Sequence, residues 1–246
     1  LFPPPPHPPI APWTRRAADN FLLIPNPTMA RYSHILFDLD GTLIDSAPAI
    51  LASFQAAFAA SGVTPVRPIS NDIIGPPLTE TLQLLAGSTD ATLIARLSEA
   101  FKASYDSSGY QATTAYAGVS ELLHELAGAG YSLSIATNKR LHPTRLILDF
   151  LGWQRCFAHV YALDLFTPRL PDKASMLQRL ISDQGIPPAT AVYIGDRAED
   201  GLAATANQLP FIAATWGYGS LSPAELAPGW HLASTPQALS ALLRSG

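Results

Sequence analysis

From about residue 32 onward, apolar positions fall into two alternating patterns. Short, largely apolar runs occur at Ile35-Leu36-Phe37, Tyr131 to Ala136, Ala158 to Tyr161, Ala191 to Ile194 and Pro210 to Ala214. Runs of this length, bounded by turn residues, predict buried strands. Between them, apolar residues recur every three or four positions. This holds for Val119 to Leu126, Pro143 to Leu151, the group Met176, Leu177, Leu180 and Ile181, and a closing stretch from Pro236 to Leu243. That spacing predicts helices with one buried face. Regular alternation of the two kinds predicts an α/β fold, with a Rossmann-like parallel sheet at its core and helices on both faces.

One region breaks the alternation. From Asp45 to about Tyr116 the pattern is helical, with Ala47, Ile50, Leu51, Phe54 and Phe58 on one face and Leu93, Ile94, Leu97, Phe101 and Tyr105 on another. Pro65 and Pro68 separate the two. The expected organisation is an α/β core from residues 29–45 and 117–246 and a helical insertion over 46–116. Residues 1–28 are different again. Leu1 to Trp13 is dominated by proline, which favours extended polyproline II structure over a packed core. Phe21-Leu22-Leu23-Ile24 is too short for a signal-peptide core. The first residue is not methionine and Met29 lies just before the first strand, so the expectation is a natural start at Met29 preceded by a non-native or disordered extension.

Composition narrows the partners. The net charge of −4 gives no basis for binding a nucleic acid polymer. No apolar run approaches the ~18 residues of a membrane span. Cys156 is the only cysteine, which excludes an internal disulfide and fits a reducing, cytoplasmic setting. The sequence leaves the oligomeric state open.

The chemistry is concentrated at Asp38-Leu39-Asp40-Gly41-Thr42. Two carboxylates close a buried strand, where like charges disfavour each other's ionisation. A divalent cation removes that cost, and Mg²⁺ favours one or two carboxylates together with phosphate oxygens. Gly41 lets the chain turn sharply. Three further groups follow in order: Thr137-Asn138 after a strand, Lys173 opening a helix, and Asp196 with Glu199 and Asp200 after another strand.

This ordered set resembles the haloacid dehalogenase superfamily of phosphohydrolases over roughly Tyr32 to Leu243. The resemblance implies that Asp38 is the nucleophile and Asp40 the general acid and base. It also implies Mg²⁺ held by Asp38, Asp196 and the backbone carbonyl of Asp40. Thr137, Asn138 and Lys173 would bind the phosphoryl group, and Asp200 would support Lys173. Glu199 reads as solvent-facing, and His142 as a surface residue. The helical insertion resembles the family's cap. One departure is Ala174, where many relatives carry proline after the lysine.

Asp40 argues against dehalogenase and phosphonoacetaldehyde hydrolase chemistry, since those relatives lack an acid there; the cap also has only one lysine, Lys102. Ile74-Gly75-Pro76-Pro77-Leu78 and Trp216-Gly217-Tyr218-Gly219 look like the phosphoglycolate phosphatase-like group, with Gly75 and Pro76 as a substrate loop. Asp172-Lys173 also resembles a branch of 5′-nucleotidases. The expected activity is therefore hydrolysis of a small phosphorylated metabolite through an aspartyl-phosphate, phosphoglycolate phosphatase-like, with a nucleotidase or a β-phosphoglucomutase as alternatives. Arg67, Arg96 and Lys102 are the few cap cations, and Arg67 is a candidate carboxylate clamp.

Overall fold

The computed structural model describes residues 31–219 and 221–244. The proline-rich segment and Met29 lie outside the described residues. In chain order the elements are β1 (His34–Phe37), the two-residue β2 (Ile44–Asp45), α1 (Ala47–Ala60), α2 (Leu78–Ala86), α3 (Ala91–Tyr105), the two-residue β3 (Thr114–Ala115) and α4 (Val119–Gly128). There follow β4 (Ser132–Thr137), α5 (Leu141–Phe150), β5 (Phe157–Ala162), α6 (Lys173–Gln184), β6 (Ala191–Gly195), α7 (Ala198–Ala206), β7 (Phe211–Ala214), β8 (Trp230–Ala233) and α8 (Pro236–Arg244).

Six strands form one sheet in the order β5-β4-β1-β6-β7-β8, and every neighbouring pair is parallel. Alternate side chains of each strand serve opposite layers. Ile35, Phe37, Leu133, Ile135, Val192 and Ile194 pack with α4, α5 and α8. Leu36, Ala136, Tyr193 and Phe211 pack with α6 and α7 on the other face. Both faces are covered, so β6 and β7 read as continuous apolar runs, while β4 carries Ser132 and Ser134 among its apolar residues.

Successive strands travel outward from β1 to β4 and β5 on one side, then from β6 to β7 and β8 on the other. The connections leaving β1 and β6 therefore diverge, and a crevice opens at their carboxyl ends, where open α/β sheets bind ligands.

The helical insertion has its own core. Phe54 and Phe58 of α1 pack with Leu82 and Leu85 of α2 and with Leu97 and Phe101 of α3. Phe101 lies 4.5 Å from Phe54 and stacks on Tyr105 at 5.4 Å, centroid to centroid. Where the chain enters and leaves this unit, β2 and β3 pair antiparallel, Ile44 opposite Ala115 and Asp45 opposite Thr114. The helical pattern alone predicts no strand in this region, because two residues are too short to show a period. β8 is also absent from the sequence reading. Trp230-His231-Leu232-Ala233 mixes polar and apolar residues, as suits a strand at the sheet's edge. Among the described residues no helix is long and apolar enough to cross a membrane.

Candidate active site

Asp38 follows β1 directly. Its backbone N–H still donates to the Ile194 carbonyl of β6 at 2.8 Å, so its carboxylate emerges at the crevice. Lys173 Nζ meets Asp38 Oδ1 at 3.1 Å. Lys173 is the first residue of α6, and Asp172 fixes that start by accepting the Ser175 N–H at 2.7 Å. Lys173 also contacts Asp200 Oδ1. The other Asp200 oxygen accepts the Arg197 N–H at 3.0 Å, at the start of α7. Asp200 thus holds the lysine against the nucleophile candidate and caps its own helix at once.

Asp196 completes the set from the end of β6. Its Oδ2 accepts the backbone N–H groups of Tyr218 and Gly219 at 2.9 and 3.0 Å. Its Oδ1 is buried with no partner. Close packing demands glycine here: Gly41 has φ +85°, and a Cβ on it would collide with the Asp196 carboxylate. A Cβ on Gly217 would collide with the Gly41 carbonyl.

Asp38, Asp196 and Asp200 each present an oxygen within 4.8 Å of the others. Burial pushes the Asp38 carboxyl up to about 7; Lys173 opposes this, while Asp200, Asp196 and Asp40 reinforce it. Burial and Asp200 also raise Asp196, to about 6. Burial works against the Lys173 ammonium as well, but Asp200 and Asp38 outweigh it and hold it charged. Three crowded acids and one cation, with an orphaned carboxylate oxygen, are the donor set that suits a hard divalent cation. The side chain of Asp40 is not among them.

Asp40 instead faces Lys139, whose Nζ donates to its two oxygens at 2.9 and 3.2 Å, and Ser46, whose hydroxyl donates to Oδ1. The two motif acids therefore have separate cations. Thr137 ends β4, beside β1 with Phe37 opposite Ile135, so Thr137 and Asn138 leave the sheet at the same end as Asp38. Thr137 Oγ1 accepts the Lys139 N–H at 3.1 Å, which leaves its hydroxyl proton free to donate. Asn138 Nδ2 donates to the Gly75 carbonyl at 3.1 Å, tying the core to the insertion. Gly75 and Pro76 line a cleft with Asp40, Asn138, Lys139 and Arg140, against an apolar wall from the insertion.

The sequence reading missed three side chains here. Lys139 pairs with Asp40 and lies 4.8 Å over the Tyr105 ring of α3. Arg140 grips Asp106, at the end of α3. The Tyr218 hydroxyl accepts N–H groups from Ser46 and Ala47, at the start of α1. Lys139 had a local signal, its place beside Thr137-Asn138, and Tyr218 lay in the Trp216-Gly217-Tyr218-Gly219 motif with no role given to its side chain. Arg67 pairs with Asp72 on the surface and Lys102 with Glu99; neither they nor Arg96 line the cleft. Glu199 and His142 are exposed, as expected.

Comparison with known proteins bears on this geometry. Residues 35–214 match the family described as haloacid dehalogenase-like hydrolase. A phosphoglycolate phosphatase of Xylella fastidiosa is 35% identical over 76% of this chain and 81% of its own. A 5′-nucleotidase of Pseudomonas aeruginosa is 30% identical over 87% of this chain and 97% of its own. Among solved structures, a predicted phosphatase from Clostridium acetobutylicum superposes with a TM-score of 0.74, at 27% identity over 87% of this chain and 97% of its own.

Proposed function

The chain belongs to the haloacid dehalogenase-like hydrolases, and from that premise we propose that it is a Mg²⁺-dependent phosphatase acting on small phosphate monoesters through an aspartyl-phosphate. The observation that carries this reading is the convergence of Asp38, Asp196 and Asp200 around Lys173 at the carboxyl ends of β1 and β6. The relatives' names make 2-phosphoglycolate and nucleoside monophosphates the first substrates to try.

Mg²⁺ would be held by Asp38 and Asp196, with the Asp40 carbonyl, and would supply charge neutralisation to the phosphoryl oxygens. The remaining work falls to the chain's own residues. An Asp38 oxygen forms a bond to phosphorus as the bond to the leaving oxygen breaks. Asp40, at the edge of the cleft, gives that oxygen its proton, and the alcohol departs. A water then attacks phosphorus, Asp40 takes its proton, and Asp38 is released with inorganic phosphate. Lys173, Thr137 and Asn138 supply donors for the equatorial oxygens, aimed in advance by α6 and the end of β4. Asp200 keeps Lys173 in place.

The test is phosphate release with Mg²⁺ and with chelator, from native protein and Asp38→Asn, with acid-quenched peptides weighed for one phosphoryl group on Asp38. Release that needs Mg²⁺ and Asp38, with label on Asp38, supports the reading. Release by Asp38→Asn at the native rate would refute it.

A further inference from the structure

The cleft beside Asp40 holds two cations, and both are already matched. Lys139 donates to both oxygens of Asp40. Arg140 makes a forked contact with Asp106, Nη1 to Oδ2 at 2.8 Å and Nη2 to Oδ1 at 2.5 Å. Such a fork uses the planar guanidinium in the geometry with which it would otherwise bind a substrate carboxylate. Both pairs are largely shielded from solvent, with side chains no more than about one-fifth exposed. Drawing either cation toward a second carboxylate would leave the first without compensation.

The polar groups left over are both uncharged: an acceptor on Asn138 and the Tyr105 hydroxyl, which lines the cleft buried and without a hydrogen-bond partner and can donate or accept. Asn138 lines the cleft; one Nδ2 hydrogen goes to the Gly75 carbonyl, the other is the phosphoryl donor proposed above, and its Oδ1 is buried without a partner. An unpaired acceptor is satisfied by a hydroxyl or N–H and repels a carboxylate oxygen. The facing wall is apolar and aromatic, including Ile50, Phe54, Ile73 and Phe101. Arg197, which has no ion pair among the described residues, packs against Gly75 and is not part of the cleft lining.

We infer that the cleft accepts phosphate esters whose leaving group is uncharged and carries a hydroxyl or N–H donor for Asn138, and that Asp106, by occupying Arg140, sets this preference. The inference rests on the phosphatase reading of the site. It places the leaving groups of glycol, sugar and nucleoside phosphates inside the accepted class and glycolate outside it.

Two phosphonates of nearly equal size isolate the charge. 3-Hydroxypropylphosphonate mimics 2-hydroxyethyl phosphate, and 3-phosphonopropionate mimics 2-phosphoglycolate. Calorimetric titration of the full chain with Mg²⁺ is expected to show the hydroxyl compound binding at least about tenfold more tightly, a difference of one decade in Kd. Asp106→Asn, which frees the guanidinium while keeping the side chain's shape, is expected to reduce that ratio to about threefold or less by strengthening binding of the carboxylate compound. Arg140→Gln, which strips Asp106 of its partner, is expected to widen it. Equal affinities or a carboxylate preference in the native protein would overturn the inference and direct attention to Arg197. A ratio unmoved in both variants would remove Asp106 from it. Release of inorganic phosphate from 2-hydroxyethyl phosphate, 2-phosphoglycolate and p-nitrophenyl phosphate is followed in parallel. Its absence from all three would refute the phosphatase reading, while the phosphonate ratio still decides the charge preference.

Discussion

Tyr218 donates its backbone N–H to Asp196 Oδ2 at 2.9 Å, and its hydroxyl accepts the N–H groups of Ser46 and Ala47 at 2.7 and 2.9 Å. One residue therefore positions a carboxylate of the acidic cluster and caps the first helix of the insertion. Ser46 cannot cap that helix itself, because its hydroxyl is turned to Asp40. The Tyr218 hydroxyl completes the arrangement by donating to Asp45 Oδ1 at 2.8 Å. Tyr218→Phe is expected to remove about 1–2 kcal/mol of stability, because it leaves the Ser46 N–H unsatisfied and the Ala47 N–H with Asp45 Oδ1 alone, at 3.1 Å. The backbone contact to Asp196 survives the change, so Mg²⁺ affinity should hold. Urea denaturation with and without Mg²⁺ checks both halves; an unchanged midpoint would rule out the capping role.

Lys173 is the sole cation in contact with both Asp38 and Asp200 among the described residues. Lys173→Met keeps much of the side chain's volume and deletes the charge. Because all three groups are largely buried, the loss is expected to be about 3–5 kcal/mol, as for breaking a buried ion pair by removing one partner. Protonation of Asp38 would relieve part of it, so the destabilisation should be greater at pH 8 than at pH 6. Phosphate release should fall to background. Guanidinium melts at the two pH values test the charge argument, and equal losses at both would contradict it.

The raised carboxyls of Asp38 and Asp196 set a pH dependence for the metal-free protein. Both bind protons more tightly folded than unfolded, from an ordinary value of 3.8 up to about 7 and about 6. Between pH 4 and 7 the native state therefore holds more protons than the unfolded chain, and stability declines as pH rises through that window. The contribution is fully present below pH 4 and gone above pH 7. A divalent cation must displace these protons to bind. Mg²⁺ is thus expected to raise Tm strongly at pH 8 and little at pH 5, with the midpoint between them. Thermal melts in chelator and in Mg²⁺ across this range provide the measurement. A Mg²⁺ effect independent of pH would show that these carboxyls do not bind it.

What could be read directly from the chain was what lies close together in it. Asp38, Asp40 and Gly41 form one turn, and Asp196 and Asp200 flank the start of one helix; each group announces itself within five residues. The strands of the sheet's interior were equally legible, since burial on both faces makes them largely apolar, with only small hydroxyl side chains such as Ser132 and Ser134 among them in β4. The partners that complete the site are distant in sequence. Arg140 and Asp106 are 34 positions apart, and Tyr218 lies 172 from Ser46. Nothing near Arg140 distinguishes it from an ordinary surface arginine, and the Trp216-Gly217-Tyr218-Gly219 motif marks a loop without saying what the tyrosine hydroxyl meets. Their roles arise only when the insertion folds back over the core. The same distance explains Arg67: its place in the insertion suggested a clamp, but the fold directs it to Asp72 at the surface.

Asp40 and Asp38 should fail differently when each loses its charge. Asp38→Asn removes the proposed attacking oxygen, so neither alcohol nor phosphate should be released above background. Asp40→Asn leaves Asp38, Lys173 and the acidic cluster in place and removes the proposed proton transfer, worth about 10²–10⁴-fold. The size of the loss should depend on the leaving group. An alkyl alcohol needs the proton to depart, whereas p-nitrophenolate leaves without one. With p-nitrophenyl phosphate, Asp40→Asn should therefore still transfer the phosphoryl group to Asp38 and then stall, because the attacking water has lost its base. Rapid mixing should show a burst of p-nitrophenol close to one per active site, followed by a slow steady rate, and phosphoryl-Asp38 should accumulate. With an alkyl phosphate the same variant should show no burst. Asp40 also balances Lys139, so a control is needed for that lost contact: Lys139→Met, which disturbs the same ion pair while keeping the carboxylate, should show no stalled phospho-enzyme. A burst in Lys139→Met, or its absence in Asp40→Asn, would take the proton-transfer role away from Asp40.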